Sequence, residues 1–236
     1  GGSNGTVNFL DSTVNAFLDE LVVGRKPNNA SGNTNGTLSF NSGTIDVNSV
    51  QLGVRTNAGN AGNVTGTINQ SGGTMIVNGN MELGVDGGND GNFGVGNYNL
   101  SAGTLSFNDT SGTTQTPIAP ASTLFVNDGS TFNFSGGTLE NVTTIDVALS
   151  NSSFTVGNDA GSEAIFVIGS NGVSDPANAV RAITTIQEAG GGSGVIDFLL
   201  NTDGTLAIDI FGPGSHGGSG EAGGVLTIDP LSSDLD

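Results

Sequence analysis

The sequence predicts an all-β fold, a parallel β-solenoid built from three-strand coils, on three observations. A segment recurs at a period of about 30 along the chain. Within each copy, apolar and polar residues alternate with the period of two that marks a half-buried strand. Gly, Asn and Ser separate the alternating runs, as abrupt turns require.

The copies align without gaps over their first strands. "GTLSFNSGT" (36–44), "GTINQSGGT" (66–74) and "GNYNLSAGT" (96–104) are evenly spaced, "GTVNFLDST" (5–13) precedes them, and "GSTFNFSGGT" (129–138) follows. In this alignment Val7, Leu38, Ile68, Tyr98 and Phe132 are equivalent inward positions. Phe9, Phe40, Gln70, Leu100 and Phe134 form a second inward set, and Asn8, Ser39, Asn69, Asn99 and Asn133 lie between the two and face out. The second strand places Ile45/Val47, Met75/Val77 and Leu105/Phe107 inward, with Asp46, Ile76 and Ser106 outward. The third places Val50/Leu52/Val54 and Met81/Leu83/Val85 inward, with Gln51 and Glu82 outward. No single coil of this kind buries its apolar set alone, so the copies must stack, like on like, at a strand spacing of about 4.8 Å. The Gly/Asn-rich segments 55–65 and 86–97 then leave the same corner of successive coils.

The predicted organisation is a solenoid of about five coils over residues 1–160, followed by a less regular β-rich C-terminal cap and assembly segment over 161–236. Residues 174–190 carry helix-end signals (Ser174, Asp175, Pro176, Gly190), although their Ile and Thr content favours a strand. Residues 194–212 read as two strands around "NTDG", a hairpin. A Gly-rich linker (212–224) leads to a last strand, 225–229, whose Val225, Leu226, Thr227 and Ile228 are the expected assembly residues, either capping the solenoid or adding to the edge of another molecule.

The stretch "LGVRTNAGNAGNVTGTINQSGGTMIVNGNMELGV" (52–85) resembles the β-strand repeats of secreted bacterial proteins with autotransporter-type passengers or PEP-CTERM sorting tails. The resemblance extends from the N-terminus through the fifth copy of the repeat and implies an extracellular or cell-surface β-helix with no particular activity. Neither a C-terminal barrel nor the sorting tail is present in the sequence, which leaves the anchoring implied by the family without a counterpart here.

Composition excludes several functions. With 22 acidic residues against four basic ones, a net charge of −18 opposes binding to nucleic acid and to anionic membranes. Absence of Cys removes disulfides and thiolate sites, and no run is long enough to span a bilayer as a helix. No apolar leader stands at Gly1, as in a mature secreted chain, so extracellular localisation is the expectation. The sole His, His216, lies in the Gly-rich linker and joins a Ser/His/Asp triad only if that linker folds back, so a solvated His is the expectation. A polysaccharide hydrolase on a β-helix needs two or three carboxylates converging on one face, whereas the column Asp46, Ile76, Ser106 offers one. No enzyme activity is expected. Asp86 and Asp90 in "DGGNDG" are candidate oxygen ligands for calcium, the one cofactor the sequence suggests. Thr44, Thr74 and Thr104 stack, but an ice-binding face would need a second Thr two residues on, where Asp46, Ile76 and Ser106 stand. Sequons at Asn35, Asn63, Asn69, Asn99, Asn133 and Asn141 matter only in a glycosylating host.

The expected function is therefore that of a structural subunit of an extracellular filament, surface layer or matrix, self-associating by strand stacking or strand addition. The alternatives are an adhesin binding a cell-surface glycan through the loops 55–65 and 86–97, and thirdly a polysaccharide lyase or hydrolase.

Overall fold

The computed structural model describes residues 2–26, 32–56, 62–86, 94–107, 122–140, 142, 144–147, 150–156, 163–168, 183–188, 193–198, 205–210 and 225–229. Every regular element among them is a β-strand, and every strand pairing is parallel to the corresponding strand of a neighbouring coil. The result is a three-faced β-solenoid.

Face A is the column β1 (Ser3–Phe9), β3 (Thr34–Phe40), the first half of β5 (Val64–Val77), the first half of β7 (Gly94–Phe107), β9 (Thr131–Phe134), β12 (Ser150–Val156) and β15 (Ser193–Phe198). Face B runs through the first half of β2 (Val14–Lys26), the first half of β4 (Gly43–Arg55), the second halves of β5 and β7, β10 (Gly137–Glu140), β13 (Glu163–Ile168) and β16 (Thr205–Ile210). Face C comprises the second halves of β2 and β4, β6 (Met81–Asp86), β8 (Thr123–Val126), β11 (Thr144–Val147), β14 (Ile183–Glu188) and β17 (Val225–Asp229). Each face thus holds seven strands among the described residues.

The register is the one the repeat dictates. Val7 pairs with Leu38, Leu38 with Ile68, Ile68 with Tyr98 and Tyr98 with Phe132. Thr44, Thr74 and Thr104 stack as expected. Period-two alternation then sends one apolar set per face into a single core in which Phe40, Ile68, Met75, Leu83, Leu100, Phe107, Phe132 and Phe154 are fully buried. Tyr98, Phe132 and Phe154 stack face to face along the axis, with centroids 5.3 and 5.2 Å apart.

Glycine sets the cross-section where faces A and C approach. Gly53 has φ +67°, and a Cβ there would sit 2.0 Å from the Val95 carbonyl oxygen. Opposite it, a Cβ on Gly66 would lie 2.0 Å from the Val23 oxygen and 2.4 Å from the Gly53 nitrogen. The "LGV" and "TGT" glycines of the repeat therefore let two backbones touch, which no side-chain-bearing residue permits.

Four expectations change. Ser106, assigned outward, is only 6% exposed. Val7, assigned inward, is 50% exposed, because its coil has a neighbour on one side only among the described residues. Residues 183–188 are a strand paired to β11 and β17, as the Ile and Thr content favoured over the helix-end signals; 174–182 lie outside the described residues. Residues 193–198 and 205–210 do not form a hairpin. Each pairs in parallel with an earlier coil, the former with β12 and the latter with β13. A Gly-containing turn between two alternating runs is as compatible with a solenoid corner as with a hairpin, and only the pairing partner decides.

The C-terminal strands join the same three columns at a less regular spacing. Phe132, Phe154 and Ile196 are consecutive members of one column. The first of these steps is shorter, and the second longer, than the even steps from Leu38 to Ile68 to Tyr98 in the regular coils.

Candidate functional site

Two regions could carry function: the corner from which the Gly/Asn-rich segments depart, and the two ends of the stack. Residues 57–61 and 87–93 of the corner segments lie outside the described residues, as do Asp90 and His216.

The base of that corner is charged and ordered. Lys26 pairs in register with Arg55, and Arg55 with Asp86. Lys26 is fully buried, and its Nζ donates to the carbonyl oxygens of Gly32 (2.9 Å) and Gly62 (3.2 Å), tying together the residues that return from two successive segments. Arg55, also buried, donates from Nη1 to Oδ1 of Asp86 at 3.2 Å, where the Asp86 side chain remains 27% exposed. In sequence these basic residues read as scattered. Their spacing of one repeat is the signal that they stack, and burying two cations is tolerable only because carbonyls and a carboxylate meet them.

Asp86 is thus already engaged with a guanidinium, which competes with any cation for its oxygens. Among the described residues no group of three or more His, Asp or Glu side chains is arranged to hold a metal. Asp46 accepts a hydrogen bond from Nδ2 of Asn78 (2.7 Å), and its column neighbours are Phe17, Ile76 and Ser106.

A polar pair that sequence reasoning missed lies inside. Gln70 interrupts the apolar column Phe9, Phe40, Leu100, Phe134, and it is completely buried. Its Oε1 accepts from the Tyr98 hydroxyl at 2.5 Å, while its Nε2 donates to the carbonyls of Thr104 (2.9 Å) and Gly73 (3.2 Å). Burial pushes the Tyr98 phenol far above its ordinary range. The arrangement is structural, since both side chains are closed off from solvent.

No protein-family model, curated protein or solved structure matches this chain.

At the first coil, β1 and β2 are paired along one edge only among the described residues, to β3 and β4. Val7, Leu10, Phe17 and Leu18 are exposed there, Phe17 by 84%. At the other end β15, β16 and β17 are the outermost described strands of their faces. The expected assembly residues Val225, Leu226, Thr227 and Ile228 are placed within their own chain, against Ile183, Thr184, Thr185 and Ile186. One edge of β17 is thereby used, and its outer edge continues face C.

Proposed function

We propose that the protein is a structural subunit of an extracellular filament, surface layer or matrix, and that subunits join by stacking the last coil of one molecule on the first coil of the next. The carrying observation is the continuity of the register columns from end to end. On face A the column runs Val7, Leu38, Ile68, Tyr98, Phe132, Phe154, Ile196. On face B it runs Ala16, Ile45, Met75, Leu105, Leu139, Phe166, Ile208. On face C it runs Leu21, Val50, Met81, Leu124, Ile145, Ile186, Ile228.

All three columns hold an apolar or aromatic residue at every rung, so Ile196, Ile208 and Ile228 of one subunit stand in register for Val7, Ala16 and Leu21 of the next. A parallel edge of three strands meets another parallel edge of three strands of the same spacing, and each satisfies the other's free backbone groups. Such a head-to-tail contact does not close, and it therefore propagates into an open polymer. Covering a half-exposed valine such as Val7 adds about 1 kcal/mol per joint, on top of the new backbone ladder.

The test is sedimentation velocity on the native protein and on Val7→Lys. An unpaired ammonium in an inward column at the joint blocks stacking, while it also reduces the net negative charge, so loss of assembly could not be blamed on added repulsion. Polymer in the native protein and nothing larger than a side-by-side pair in the variant, with unchanged β-sheet circular dichroism, is the expected result. A native protein that stays monomeric at all concentrations, or a variant that assembles equally well, overturns the proposal.

A further inference from the structure

Face A differs from the other two in charge. Its strands in the first six coils, β1, β3, the first halves of β5 and β7, β9 and β12, contain no Asp, Glu, Lys or Arg, in a chain with 22 acidic and four basic side chains. Over the same coils face B carries Asp46, Glu140 and Glu163, face C carries Arg25, Lys26, Arg55, Glu82, Asp86, Asp146 and Glu188, and Asp19 and Glu20 stand where the two meet.

The outward positions of face A form two parallel polar ladders. One is Thr6, Thr37, Thr67, Asn97, Thr131 and Ser153; the other is Asn8, Ser39, Asn69, Asn99 and Asn133. Hydrogen bonds along the axis hold these side chains in place. Asn99 Nδ2 donates to Asn69 Oδ1 (2.8 Å), Asn69 Nδ2 to Ser39 Oγ (3.3 Å), and Thr131 Oγ1 to Asn97 Oδ1 (3.0 Å). A primary amide has two N–H donors and two acceptor lone pairs, so a ladder amide that spends one of each along the stack keeps one of each for an outside partner. These side chains are partly exposed and already oriented, so little rotamer entropy remains to be lost on contact.

We infer that face A is a lateral docking surface for face A of a second copy of this chain, giving side-by-side pairs of solenoids. Three features of the molecule select this occupant. A molecule of charge −18 repels its own copy wherever acidic faces meet, and face A over its first six coils, short of Asp197 in β15, is the side on which two copies can approach with only neutral groups between them. A hydrogen-bonding array with a fixed rung spacing needs a partner with the same spacing, and a second copy supplies it at every rung. Its amides and hydroxyls are both donors and acceptors, so the surface is complementary to itself across a two-fold axis.

The area is also adequate. Six rungs at about 4.8 Å and a strand width of about 20 Å give on the order of 550 Å² per partner, or about 1,100 Å² buried in total, at the lower end of specific interfaces. A single pair is therefore weak and concentration-dependent, and end-to-end polymers reinforce it by adding one such patch per subunit. The pairing itself does not depend on end-to-end stacking.

The experiment is sedimentation equilibrium in the Val7→Lys background, where end stacking is blocked, over a concentration series. The probes are Thr67→Glu and Thr67→Lys on face A, with Ile76→Glu and Ile76→Lys on face B as partners of equal charge change. Pairing through face A predicts a monomer–dimer equilibrium that both Thr67 variants shift at least tenfold towards monomer, although they move the net charge in opposite directions. The Ile76 variants should follow net charge alone, with Lys strengthening association and Glu weakening it.

Circular dichroism and melting of all four variants verify that each is folded, and Asn69→Asp serves as a second face A probe should Thr67 variants unfold. A Val7→Lys protein that is monomeric throughout overturns the inference, including the case in which it is instead retained on an insoluble neutral polysaccharide. So does dimerisation of Thr67→Lys as tight as that of its parent. Native filaments that form but never pair laterally would overturn this inference while leaving end-to-end stacking standing.

Discussion

Replacing Gln70 with Leu isolates the contribution of the Gln70–Tyr98 pair inside the solenoid. Leu fits the column, whose neighbours on either side are Phe40 and Leu100. The substitution removes the acceptor of the Tyr98 hydroxyl and leaves that hydroxyl buried with the Met75 sulfur at 3.5 Å, a weak acceptor, in its place. An unsatisfied buried hydroxyl costs about 1–3 kcal/mol, so Gln70→Leu should destabilise by about 2 kcal/mol. Tyr98→Phe keeps the ring stacked on Phe132 but strips Gln70 Oε1 of its donor, with a penalty of similar size. The double variant removes both polar ends together and leaves apolar surfaces in contact, so it should cost less than the sum of the two by about 1–2 kcal/mol. Urea denaturation followed by circular dichroism measures all four proteins, with equal m-values confirming that the same unit unfolds in each. Additive single effects would refute the claim that these two residues form one buried unit.

Two further outcomes follow from the core. Tyr98 is the only Tyr in the chain, and burial raises its pKa above the unfolded value of about 10. Its contribution is fully present below that pH and is lost above it, because only the unfolded state releases the proton; stability should fall by up to about 1.4 kcal/mol per pH unit beyond pH 10, with tyrosinate absorbance rising only as the protein unfolds. Tyr98→Phe should abolish that slope relative to the native protein, and an unchanged slope would contradict the assignment. Gly66→Ala puts a Cβ against backbone at 2.0 and 2.4 Å, so it should cost more than about 3 kcal/mol and shift the whole melting transition, whereas Thr67→Ala next to it, on the outward side, should cost about 1 kcal/mol or less.

The strand register was legible because two periods reinforce each other. Period two identifies the inward side of each strand, and the longer repeat aligns strands across coils; together they place Val7, Leu38, Ile68, Tyr98 and Phe132 in one column, as the pairing has it. Val7 differs in exposure alone, since burial in a stack depends on having a coil on both sides. Gln70 shows in the sequence only as an unlike member of an apolar column, and its satisfaction by Tyr98 and the Thr104 and Gly73 carbonyls is a tertiary fact. The C-terminal strands are harder to read because the interval between paired rungs stretches, as from Phe154 to Ile196, which hides the repeat while the pairing persists. Lys26, Arg55 and Asp86 illustrate the same point from the other direction: three charges about one repeat apart look unrelated until the coils place them in one column. The neutral face A was visible in principle, since each of its strands in the first six coils lacks charge, but a face exists only once strands are assigned to it.

The central claim is that the stack of coils within the chain continues from one molecule to the next. Electron microscopy of the native assembled protein, with the axial repeat measured from averaged filaments, tests it most directly. The seven described rungs at about 4.8 Å predict filaments with a subunit repeat of at least about 33–34 Å and a strand reflection near 4.8 Å along the axis. Isolated particles one solenoid long, or filaments whose strands run along the axis instead of across it, would contradict it.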